Sequence, residues 1–262
     1  MKKISKTQIC VSITFISACL LIVYELFDLK KLLGINPDYS AGYLADMTIT
    51  RALAAIAFLA ILINLDFKVL NPIKKPFLRS VLFCLPPLAV CINNLPIISL
   101  LSGRARVDSP PWMIVLLALE CIAIGTFEEI AFRGVVFLSI AEKNGKTKNG
   151  LFFSIVISSL IFGAIHLLNI FFSSPIAVLM QIGYSALIGA MCAVVLIKTK
   201  NIWFCVLLHA IYDFCGQLVV YCGHGIIWDT PTVILTAVIA VAVTVYMVVQ
   251  FVKMPAENIE NS

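Results

Sequence analysis

The chain has 262 residues, 61% of them apolar and 13% charged, with a formal net charge of +5. Soluble domains run at about 45–50% apolar and about 25% charged, so a water-soluble fold is excluded. The surplus positive charge then belongs to loops that set membrane orientation, and no nucleic-acid partner is implied.

Apolar runs near the spanning length of about 20 residues recur along the chain. They predict an all-α, polytopic membrane helix bundle of about eight transmembrane helices, arranged as a single transmembrane domain over residues 1–262. In chain order the spans are about 8–27, 46–65, 77–100, 111–139, 151–172, 175–197, 202–221 and 231–252. The first resembles a signal peptide, but its apolar run continues past Cys19 to Phe27, as in a retained helix. Pro86-Pro87 interrupts the third, which is read as one kinked helix or two short pieces. Three later spans open on a capping residue and a proline: Asp108-Ser109-Pro110-Pro111, Ser173-Ser174-Pro175 and Asp229-Thr230-Pro231. Trp112, Trp203 and Trp228 fall at span ends, where an interfacial aromatic belt places them.

Lysine and arginine set the topology. With the N-terminus inside, the cytoplasmic segments hold Lys2, Lys3, Lys6, Lys68, Lys74, Lys75, Arg79, Lys143, Lys146, Lys148, Lys198, Lys200 and Lys253. The outer segments hold only Lys30, Lys31, Arg51, Arg104 and Arg106. This imbalance predicts an integral protein of the cell membrane with both termini in the cytoplasm. The nine cysteines show no paired spacing and read as small buried hydrophobes.

Charge inside the fourth span breaks this pattern. Glu128, Glu129 and Arg133 lie mid-helix, where one charged residue costs about 2.5–3.5 kcal/mol on insertion scales. Glu129 and Arg133 are four apart and share a face, so they can pair. Glu128 points about 100° away, without a cation on its own helix, and reads as the working carboxylate. Glu120, further out on the same span, has no assigned role.

Two of the three histidines, His166 and His209, lie in separate later spans, and His224 lies in a glycine-flanked loop without a role. Counted at about 1.5 Å per residue, Glu128, His166, His209 and Asp213 fall about 18, 22, 10 and 17 Å from the cytoplasmic ends of their helices. One slab of the membrane thus holds all four. His209 and Asp213 are again four apart, so Asp213 is placed to fix the His209 ring. The residues alone leave two functions open: a hydrolase, or a non-proteolytic immunity or peptide-binding module that docks a peptide on the same cluster.

EEIAFR (128–133), FGAIH (162–166) and HAIYD (209–213), in that order, resemble the three motifs of the CPBP family of intramembrane proteases. Those motifs are E-E-x-x-x-R, F-x-x-x-H and H-x-x-x-Asn/Asp. The family includes type II CAAX prenyl proteases and bacterial (Abi) relatives tied to bacteriocin self-immunity and peptide maturation. The resemblance spans about 111–221, the core helices, and implies an endopeptidase acting on a membrane-associated peptide or protein, lipidated or not. It implies that Glu128 activates a water with help from His166, and that His209 and Asp213 face the oxyanion. Glu129, Arg133 and Phe162 would support the site. An ionised Asp213 cannot donate to an oxyanion, so orientation of His209 is the role expected for it. The expected cofactor is none. Zinc on Glu128, His166 and His209 is the alternative, although no H-E-x-x-H helix is present.

Overall fold

A computed structural model describes residues 41–70, 77–171 and 173–254, with residues 12–13, 16–17 and 20 before them. The predicted first span therefore lies largely outside the described residues. The described helices are α1 (Ala41–Asn64), α2 (Phe77–Asn93), α3 (Ile97–Leu101) and α4 (Pro111–Glu128). A π-helical stretch (Glu129–Phe137) carries α4 straight into α5 (Leu138–Asn144). Then follow α6 (Lys148–Ile165), which ends in a 3-10 segment (His166–Phe171), α7 (Pro175–Thr199), α8 (Trp203–Cys222) and α9 (Thr230–Val252).

Among the described residues five helices are long and apolar enough to cross a membrane: α1, α6 with its 3-10 end, α7, α8 and α9. The protein is an integral, multi-pass membrane protein. Each span buries one stripe and turns the rest outward. On α1, Leu44, Met47, Arg51, Ala55, Phe58 and Leu62 are buried at helical spacing. Ile49, Leu53, Ile56 and Ile63 face away, as a lipid-facing surface requires. The closest packing joins α6 to α7, α1 to α4 and α4 to α8. Glycine permits the last of these: a Cβ on Gly125 would stand 3.1 Å from the backbone of both Val206 and Ala210.

The third span differs from expectation. Its helix runs through Pro86 and Pro87 and stops at Asn93, where Pro96 and the restriction it places on Leu95 prevent continuation. Pro87 lacks the N–H that would bond the Phe83 carbonyl. The Tyr246 hydroxyl of α9 donates to that carbonyl instead, at 3.2 Å, so the helix survives two prolines. Asn93 and Asn94, in the following turn, donate to Thr236 of α9 and to the Tyr212 carbonyl of α8.

Two short strands, β1 (Ala105–Val107) and β2 (Gly223–Gly225), pair antiparallel beyond the helix ends. Gly225 sits at φ +120°, with the Arg104 carbonyl where a side chain would be. Arg104 and Ser99 reach Asp229, which also caps α9 through the Thr232 amide. Bonds from Thr232, with the Arg104 guanidinium nearby, hold the Asp229 carboxyl below the usual carboxylate range. Ser174 caps α7 as expected. Asp108 and Ser109 do not cap α4, whose N-cap is Pro110; the Asp108 carboxylate is turned to His224 at 2.9 Å.

Candidate functional site

The π-helical stretch opens where the motif begins. All nine of its residues are buried, and such widened turns recur at functional sites because they re-aim side chains relative to a regular helix. Glu129 and Arg133 meet across it, with Oε1 and Nη1 3.1 Å apart. Neither nitrogen of the guanidinium tip is aligned for a hydrogen bond. The guanidinium lies instead 4.2 Å over the Phe162 ring of α6. Gly189 of α7 makes room for it, since a Cβ there would stand 3.0 Å from Nη2.

His209 of α8 joins the motifs. Its Nδ1 lies 2.6 Å from Glu129 Oε1, a short contact between a ring N–H and a buried carboxylate. Its Nε2 lies 3.4 Å from both Glu128 Oε2 and Asp213 Oδ2. Asp213 thus reaches the ring as its spacing of four suggested, and a second carboxylate that spacing did not suggest reaches it as well. Glu129 holds the Nδ1 side, and Asp213 stands on the other edge beside Glu128. Sequence spacing favoured Asp213 because it sees only partners on the same helix.

His166 lies elsewhere around Phe162. Its Nδ1 is 3.1 Å from the Phe162 carbonyl; a carbonyl only accepts, so Nδ1 carries the proton and Nε2 is left as a base. The His166 and His209 rings both stand edge-on to Phe162, at 5.4 and 6.0 Å between centroids. Among the described residues His166 makes no ion pair with Glu128.

Exposure divides the site. The Glu129 side chain is fully buried and Arg133 nearly so, whereas Glu128 and Asp213 each keep 17% of their side-chain surface. The second pair is partly open to its surroundings and the first is sealed.

Arg51 was expected outside the bundle and is instead 5% exposed within α1. The helix begins earlier than the predicted 46, which carries Arg51 inward. Its guanidinium lies 5.6 Å from the Phe127 ring centroid and interacts electrostatically with Glu128 and Glu120. Glu120 is itself buried and accepts from the Cys121 thiol at 3.4 Å. The signal for both was available: Arg51 falls in phase with the buried stripe of α1.

Glu128, His166 and His209 do not each bring a ligand atom to one point. Among the described residues the group that does is Glu129, Cys192 and Cys205.

Residues 110–215 match the family Rce1-like, type II CAAX prenyl endopeptidase Rce1-like. The matched segment runs from the residue before α4 into α8 and contains all three motifs. No curated protein and no solved structure is similar enough to match.

Proposed function

We propose, from the match of residues 110–215 to the Rce1-like type II CAAX prenyl endopeptidase family, that this protein is an intramembrane endopeptidase working through a glutamate-activated water without a metal. The match supports a protease of the membrane with a peptide or protein substrate. The finer assignment rests on one observation: Glu128 is a partly exposed carboxylate held 3.4 Å from a buried histidine whose far side is anchored.

In this reading Glu128 takes a proton from a water poised against the scissile carbonyl. Glu128, now carrying that proton, passes it to the leaving amine, while Nε2 of His166 accepts from the same attacking water. Glu129 accepts from His209 Nδ1–H, which fixes the ring and directs Nε2–H at the developing oxyanion. Asp213 shares that ring edge with Glu128. Arg133 pairs with Glu129 and holds it in place. Both termini are assigned to the cytoplasm, and the removal of Arg51 from the outer loops supports this by widening the charge asymmetry.

The test is cleavage of quenched, membrane-associated peptides by the purified full chain. Turnover that survives a chelator and is lost in Glu128→Gln is expected. A wild-type protein that binds such peptides without cleaving them would instead support the docking-module reading.

A further inference from the structure

Behind His209, on the side away from Glu128, lies a cluster the mechanism does not use. Cys192 of α7 and Cys205 of α8 are both fully buried, and their sulfurs and a Glu129 carboxylate oxygen all lie within 4.8 Å of one another. The geometry points to a site for a soft divalent cation of the zinc class, held by these two thiols and Glu129.

Three features carry this. First, the donor set is right: thiolates and a carboxylate are ordinary ligands of zinc-class ions. A tetrahedral centre with bonds of about 2.0–2.3 Å spaces its ligands roughly 3.3–3.8 Å apart, so a contraction of at most about 1.5 Å would seat the ion. Second, a ligand atom is free. Glu129 Oε2 is buried without a hydrogen-bond partner, while Oε1 serves His209. A buried acceptor left unsatisfied costs about 1–3 kcal/mol, and a cation removes that cost. Third, the charges close. Each thiol binds as a thiolate and releases its proton. Two thiolates and Glu129 then carry three negative charges against the ion's two, and Arg133, ion-paired to Glu129, supplies the balancing positive charge.

Occupancy would fasten α4, α7 and α8 together directly behind the catalytic ring. Glu129 would bridge ion and imidazole, as carboxylates do in metal–carboxylate–histidine arrays. No ligand atom reaches the surface, so uptake is expected to be slow.

The experiment is a titration of chelator-treated full-length protein in detergent with cadmium, which reports thiolate binding by its charge-transfer absorption. We expect one ion per chain, a raised melting temperature and displacement by zinc, with the band lost in Cys192→Ser and in Cys205→Ser. Since either variant can fail to fold, X-ray absorption of cadmium bound to the wild type supplies a second reading, with two sulfur neighbours expected. No band in the wild type, a band that persists in both folded variants, or a shell without sulfur would overturn the site.

Discussion

Two carboxylates adjacent in sequence, Glu128 and Glu129, have opposite surroundings. Glu129 is fully buried, paired with Arg133 and bonded to His209. Glu128 keeps part of its side chain exposed and meets His209 only at 3.4 Å. Burial divides the two, and the proposed division of labour follows it: the sealed carboxylate as support of the site, the open one as its base. The contrast teaches that in a membrane interior a fully buried, ion-paired charge suits a supporting role, while a partly exposed one is left available for reaction.

Changes to the sealed half should show first in stability. Arg133→Ala leaves Glu129 charged and buried, and such losses typically cost about 3–5 kcal/mol. Thermal melts in detergent should show the largest fall of any site variant; a melt equal to wild type would remove the scaffold role. Glu129→Gln keeps size and deletes a charge-assisted hydrogen bond, worth about 1.5–3 kcal/mol. It should lower both melting temperature and turnover, since the His209 ring loses its anchor. Gly125→Ala presses a methyl group against the backbone of α8 and should cost about 1–3 kcal/mol of stability, with turnover falling as α4 and α8 part.

The open half sharpens the contrast with a small effect. Because Glu129 already fixes the ring, Asp213→Asn should leave turnover within about tenfold of wild type, about 1.4 kcal/mol at most. A loss well beyond that would restore the orienting role that spacing alone gave to Asp213.

Much of this was legible in the sequence, and what was missed has physical causes. The Glu129–Arg133 and His209–Asp213 contacts follow from spacing of four on one helix, and the common depth of Glu128, His166 and His209 follows from helical rise. The 2.6 Å contact between Glu129 and His209 joins residues 80 apart, and no helical periodicity reports it. The π-helical stretch likewise leaves no residue signature. Arg51 was misplaced because an apolar run marks where hydrophobicity begins, while helix α1 starts five residues sooner than the predicted span. The β1–β2 ribbon is too short for alternation to be visible, and the Asn94 contact to Tyr212 belongs to a turn that the predicted third span covered with helix.

The central claim is tested most directly by turnover of a quenched peptide with Glu128→Gln, alongside the melting temperature of the same preparation. General-base catalysis is typically worth about 10²–10⁴, so turnover should fall by that factor while the melt stays at its wild-type value. Turnover within about tenfold of wild type, from a variant that is still folded, would contradict the account.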